Sequence, residues 1–222
     1  MAQAFRAFES RKDVVIFASG VSDSNETSEA AFRRESNLLT KTRAAYRDAL
    51  LVYFGTCSVN DPERRATPYV RHKLAMESVI ASSECPWMIF RLPLAIGPIH
   101  RSPTLGNFLH RRILRGERFE VWTRSTRYPL DVDDAVRIVS RLIGDQSMWR
   151  RTINIALRAF HVVDFVRVME QITQRKAVYE LVEKGGHYEL HCPEVNALAA
   201  EMGLDRSEAY LERVLRKYFG VS

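Results

Sequence analysis

Cysteine is scarce in this 222-residue chain: only Cys57, Cys85 and Cys192 occur, an odd number with no Cys-x-x-Cys spacing. That argues against a disulfide framework and a zinc site, and fits a reducing cytoplasm. Long apolar runs are missing too, since the purely apolar stretches last only a handful of residues, against roughly 20 for a membrane helix. The opening Met1-Ala2-Gln3-Ala4-Phe5-Arg6 has no apolar segment of signal-peptide length. Six histidines fall at no metal-binding spacing, so no metal is expected. The ten glycines are scattered, and no Gly-x-Gly-x-x-Gly turn is present to cradle a pyrophosphate. Internal repeats and low-complexity linkers are absent as well.

What is present suits one substantial core and a small lobe, with 46% hydrophobic residues. Lys and Arg number 33 against 27 Asp and Glu, a net charge of +6. The densest basic stretch, 110–118, carries Arg111, Arg112, Arg115 and Arg118. Helical spacing turns Ile113 and Leu114 inward and the arginines outward, so a solvated helix face is the first reading. A diphosphate site ranks second. Nucleic acid ranks third, because no aromatic platform accompanies the charge.

Elements alternate along the first half. The opening residues read as a helix, then a β-branched strand is expected over 14–18 and a helix over 29–47, with capping residues in the polar loop 22–28. A strand over 50–55, a helix over 68–82 opened by Pro68, and a strand over 87–92 follow. Strands alternating with helices imply a parallel sheet covered on both faces. Beyond Gly97 the alternation loosens.

Tyr69 and Lys73, in Thr-Pro-Tyr-Val-Arg-His-Lys, follow the hydroxyl cluster Thr56-Cys57-Ser58, with Tyr69 eleven residues after Ser58. Four residues apart on a helix means one face. An ammonium beside a phenol favours the phenolate and lowers its pKa from about 10. Tyr69 is therefore a candidate general base and acid for an alcohol or ketone, and a hydroxyl from a neighbouring strand end can hold the same oxygen. Each residue also has an ordinary use: Tyr69 and Lys73 as a surface pair, Thr56 as a strand-end hydrogen-bonding group, Arg91 as the holder of a carboxylate, Cys57 as a small buried residue.

The order of these segments resembles the extended branch of the short-chain dehydrogenase/reductase family, the nucleotide-sugar epimerases, dehydratases and reductases. The likeness rests on Val14-Val15-Ile16-Phe17-Ala18-Ser19-Gly20, on Tyr53-Phe54-Gly55-Thr56-Cys57-Ser58-Val59-Asn60, and on Tyr69 and Lys73. It continues through Phe90-Arg91-Leu92-Pro93-Leu94-Ala95-Ile96-Gly97-Pro98, Arg127-Tyr128-Pro129-Leu130-Asp131-Val132-Asp133-Asp134-Ala135, Asn154-Ile155-Ala156 and Gly186-His187-Tyr188. The resemblance implies a Rossmann-like α/β fold, abbreviated at its N-terminus, with a core over 1–96 and 126–157 and a substrate lobe over 97–125 and 158–222. It implies catalysis by Thr56, Tyr69 and Lys73. NAD or NADP would meet Ala18, Ser19, Gly20, Tyr69, Lys73 and Pro93, and a nucleotide sugar would meet Ser58, Asn107 and Arg127. Lys73 would lower the tyrosine pKa and hold the nicotinamide ribose.

Relative to Val59, Thr56 matches the family's catalytic Ser/Thr position. The dehydratases carry two acids where Cys57 and Ser58 stand here, which argues for an epimerase or ketoreductase. Asn60 stands where the family has a tyrosine. The opening helix reads as the one that follows the family's glycine turn, implying a longer parent protein with Met1 internal, whereas the missing middle strands imply natural abbreviation. The alternative is a non-catalytic relative that binds a sugar nucleotide or a protein partner. A homodimer pairing the helices 29–47 and 68–82, through Phe32, Leu39, Ala75, Val79 and Ile80, is expected; membrane and nucleic-acid partners are not.

Overall fold

The computed structural model describes residues 2–98 and 104–220. A 3₁₀ helix, Ala2–Phe8, leads into β1 (Val14–Phe17), α1 (Glu29–Ala45), β2 (Leu50–Thr56), α2 (Pro68–Ala81) and β3 (Trp87–Leu92). Then come β4 (Leu94–Ile96), α3 (Leu105–Arg115), β5 (Phe119–Trp122), β6 (Thr126–Arg127), β7 (Pro129–Asp131) and α4 (Val132–Ile143). The chain continues through β8 (Arg151–Asn154), β9 (Phe160–His161), α5 (Val162–Thr173), β10 (Tyr179–Val182), α6 (Pro193–Glu201) and α7 (Tyr210–Phe219). No helix among the described residues is long and apolar enough to cross a membrane.

Residues 1–92 and 135–155 form one compact unit, and 93–134 with 156–222 a second. The first holds a parallel sheet of order β1-β2-β3-β8. The all-but-continuous apolar run of β2 follows from its central place, where both edges are paired and six of its seven residues are buried. Right-handed crossovers that all step the same way put α1 and α2 on one face of this sheet. They touch there, the His72 ring stacking on Phe32 at 4.5 Å between centroids. Ser28 caps α1 by accepting from the Ala31 amide, and Thr67 caps α2 by accepting from the Val70 amide, with Pro68 in the first turn.

The opening segment departs from expectation. It is a seven-residue 3₁₀ helix broken at Phe5, and it is held by packing: Phe5 is buried, with its ring 5.4 Å from that of Phe54. Seven residues of 3₁₀ turn offer no α-helical N-terminus for a pyrophosphate.

In the second unit Leu109 and Ile113 of α3, Phe165 and Met169 of α5, and Tyr210, Val214 and Leu215 of α7 share one core. Leu114 was expected inside with Ile113 but is exposed, because 3.6-residue periodicity carries position 114 past the buried stripe of Gly106, Leu109 and Ile113. Glu117 pairs with Arg112 at 2.9 Å and Arg115 at 3.5 Å, partly neutralising the basic stretch. Strands β4 and β7, expected with the Rossmann core, pair with each other in this unit.

The helix α2 lies on the sheet through polar groups as well as apolar ones. Its buried face carries Tyr69, Lys73 and Glu77 at successive four-residue steps, flanked by Val70, Met76 and Ile80. Arg91 of β3 grips the Glu77 carboxylate, Nε to Oε1 at 3.1 Å and Nη2 to Oε2 at 2.6 Å. Gly55 admits this pair, since a Cβ there would collide with Glu77 Oε1. Gly55→Ala should therefore cost about 1–3 kcal/mol by overpacking. Gly144→Ala, where the nearest atom to a Cβ is a backbone oxygen at 3.5 Å, should stay within about 0.5 kcal/mol. Urea unfolding of both variants measures the contrast, and equal stabilities would refute this packing account.

Candidate active site

Thr56 ends β2, and Gly20 lies in the loop after β1, so both stand at the carboxyl ends of parallel strands, where open α/β sheets bind ligands. Thr56 Oγ1 accepts the Ser58 amide at 3.1 Å and caps the 3₁₀ turn Cys57–Asn60. The Tyr69 phenol, at the start of α2, lies near enough for the Thr56 hydroxyl to pull its pKa down. The fold thus brings Thr56 and Tyr69 together. Ser58 is half-buried beside them, and the Cys57 thiol donates to the Arg91 carbonyl at 3.1 Å from a buried position.

Lys73 is 2% exposed, and its ammonium is committed elsewhere. It donates to Glu35 Oε1 at 3.0 Å, to the Tyr53 hydroxyl at 3.1 Å and to the Phe54 carbonyl at 3.4 Å. Three bonds match the three N–H donors of an ammonium. The Tyr53 hydroxyl in turn donates to Glu35 Oε1 at 2.7 Å. On the other carboxylate oxygen, the Val21 amide donates at 2.6 Å and His72 Nε2 stands at 3.0 Å. A Cβ at Gly20 would lie 2.6 Å from Glu35 Oε1 and 2.8 Å from Lys73 Nζ, so glycine is what lets the loop close over the pair.

Burial opposes ionisation of Glu35, but His72, Lys73, Tyr53 and the Val21 amide outweigh it and hold the carboxyl down at about 2. Burial pushes Lys73 down while Glu35 opposes the shift. Tyr69 behaves contrary to expectation. Burial raises it to about 12, with Thr56 and Arg64 pulling down and Glu35 and Asp23 pushing up. The expected lowering by Lys73 does not occur, because a buried ammonium paired with a buried carboxylate presents little net charge to a third group.

Four side chains of this arrangement were not singled out from the sequence: Glu35, Tyr53, His72 and Glu77. Glu35 had a signal, since it lies three residues after Phe32 and four before Leu39 on the sheet-facing stripe of α1. Of the remaining expected contacts, Ala18 turns the chain through its amide on the Ile16 carbonyl at 3.2 Å, and Ser19 is exposed. Pro93, Asn107 on α3 and Arg127 on β6 belong to the second unit. Arg127 Nη1 donates to the Thr126 carbonyl at 2.7 Å.

The acids near Arg127 have a structural task in that unit. Asp131 is 1% exposed and accepts from Lys217 Nζ at 2.8 Å, the Tyr218 hydroxyl at 2.7 Å and the Asp133 amide at 3.0 Å. Asp134 accepts from the Tyr210 hydroxyl at 3.0 Å and Arg213 at 3.1 Å. Burial opposes ionisation of Asp131, yet Lys217, Tyr218 and the Asp133 amide keep its pKa below the ordinary value.

A parallel sheet with Thr56 and a helix-borne Tyr69 at its carboxyl edge defines a Rossmann-type α/β protein. The chain belongs to the NAD dependent epimerase/dehydratase family, whose profile matches residues 2–156. It is similar in fold to the UDP-glucuronic acid 4-epimerase of Bacillus cereus, solved with UDP-glucuronic acid and NAD, at 16% identity and TM-score 0.72, over 93% of this chain and 74% of that one. The UDP-glucose 4-epimerase of Thermus thermophilus, solved with NAD, matches at 14% identity and TM-score 0.71, over 98% and 81%. An epimerase of Methanothermobacter thermautotrophicus matches at 14% identity and TM-score 0.74, over 97% and 74%. No curated protein sequence matches the chain.

Glu35 dictates an acid dependence of stability. Its folded pKa of about 2 lies below the ordinary 4.5, so its contribution is full above pH 4.5 and is lost as pH falls toward 2. Glu35→Gln should lower stability at neutral pH, by leaving Lys73 without its carboxylate, and should flatten this acid limb. Urea unfolding at stepped pH measures both; an acid limb as steep as that of the unaltered protein would overturn the assignment.

Proposed function

We propose that the chain acts on a nucleotide sugar as an NAD(P)-dependent epimerase or ketoreductase, with Tyr69 as the proton-exchanging group. The observation that carries this reading is the placing of Tyr69, at the start of α2, near Thr56 at the carboxyl end of β2, in a chain of this family. Bound NAD(P) would supply the hydride acceptor. Tyr69 exchanges a proton with the sugar hydroxyl, and Thr56 orients the phenol oxygen, its own lone pair fixed by the Ser58 amide. Ala18, Ser19 and Gly20 line the loop after β1 where the cofactor would lie, and Pro93, Ser58, Asn107 and Arg127 are the further contacts assigned to cofactor and substrate. Lys73 fits the cofactor less well, because its three donors already have protein partners.

The commitment of Lys73 to Glu35 favours a second reading, a relative that binds a sugar nucleotide without turning it over. One set of measurements separates them. On the first reading Tyr69→Phe lowers kcat about 10²–10⁴-fold with KM nearly unchanged, and Thr56→Val does less. Turnover of a UDP-sugar panel with added NAD or NADP is followed by chromatography, with calorimetry for binding. Retention of most of the rate by Tyr69→Phe removes Tyr69 from the mechanism. Binding without turnover establishes the second reading.

A homodimer through α1 and α2 is part of the same proposal. Leu39 and Ile80, expected at the interface, are buried against the sheet, whereas Val79, also expected there, is exposed and offers the apolar contact together with Leu38 and Leu74. Sedimentation should show a dimer at micromolar concentration that Leu74→Glu disperses; a monomer throughout would refute the interface.

A further inference from the structure

Arg64 lies between the 3₁₀ turn after β2 and the start of α2, and has no part in the chemistry assigned above. Its backbone belongs to that loop: its amide donates to the Asp61 carbonyl at 3.0 Å, and its carbonyl accepts from the Thr67 amide at 2.8 Å. Thr67 caps α2, and Tyr69 follows two residues later. The side chain reaches across to the loop after β1. There Nη2 donates to the Ser24 carbonyl at 2.9 Å and to Asn25 Oδ1 at 3.3 Å. Nε is enclosed without a partner among the described residues. Enclosing an unpaired N–H costs free energy, so the place of the guanidinium is set by the two loops it joins.

The loop after β1 is thereby pinned at two points. Its Val21 amide donates to Glu35 Oε2 at 2.6 Å, and three residues on, the Ser24 carbonyl is held by Arg64. Val21 packs with Tyr69 and Val70, against Phe32 and Val59, so the pinned segment forms one wall of the tyrosine. The charges that act on the phenol include Asp23 and Arg64, one from each loop. We propose that Arg64 is a positioning residue of this site: by tying the loop after β1 to the loop that leads into α2, it keeps Val21 against the Tyr69 ring and fixes the direction of the phenol. A tyrosine ring turns on two torsions, of which χ2 is broad, so its direction depends on the walls that enclose it.

The inference deepens the proposed function and rests on it for its catalytic meaning. Its first measurement needs no substrate, so a failure here is separate from a failure of turnover. NMR of carbon-labelled tyrosine and valine reads the contact between the Tyr69 ring and the Val21 methyls, with Tyr69→Phe and Val21→Ala identifying the signals. Arg64→Met, which keeps an unbranched stem and removes the guanidinium, should lose this contact. Arg65→Met removes an exposed neighbour of the same charge and should keep it. With a UDP-sugar that is turned over, Arg64→Met should lower kcat about 10²-fold with KM nearly unchanged, the effect of displacing a reacting group by about 1 Å. A merely structural role would lower stability and leave both the contact and kcat in place. If Arg64→Met does not fold, Arg64→Lys serves: its ammonium can hold the Ser24 carbonyl but lacks the planar guanidinium, and it should weaken the contact in part. An intact contact in the Arg64 variant, an equal loss in Arg65→Met, or a kcat unchanged where the contact is lost overturns the proposal.

Discussion

The meeting of α1, α2 and the central strand in the first unit is arranged around one buried carboxylate. Glu35 is fully enclosed, and an enclosed charge is tolerable only with compensating partners in place. Those partners come from a loop amide, the central strand and the neighbouring helix. The single group therefore ties α1, β2, α2 and the turn after β1 to one another. Two glycines complete the arrangement, Gly20 above Glu35 and Lys73, Gly55 above Glu77 and Arg91. The helix α2 is thus aligned on the sheet by directional bonds at Tyr69, Lys73 and Glu77, where apolar packing alone would permit sliding.

This arrangement bears on chemistry because the residues that align the helix are those a reaction of this family would use. Lys73 is both a structural cation and a neighbour of the proposed proton carrier. In such a cluster a charge that stabilises the fold is less available to tune a phenol, and the high pKa of Tyr69 follows first from its burial.

Much of the architecture was legible from local signals. The apolar runs at 14–17, 50–56 and 87–92 could hardly be anything but buried parallel strands, and Ser28 and Thr67-Pro68 mark the helix starts. The same signals put Thr56 at the end of a strand and Tyr69 in the first turn of the next helix. Glu35 was hidden because it follows Arg33 and Arg34, and burial of a charge is decided by partners far away in sequence. The opening segment was misread because aromatic anchoring of Phe5 on Phe54, invisible in a helical pattern, sets its conformation. The roles of Asp131 and Asp134 escaped for the same reason of distance: their partners lie on α7.

That last separation has a consequence for how the chain is made. Lys217 meets Asp131 across 86 residues of sequence. At about 5–20 residues per second, the interval between synthesis of the acid and of its cation is roughly 4–17 s. During that time the second unit can gather its helices but cannot neutralise the acids at its centre, so its native packing must await α7.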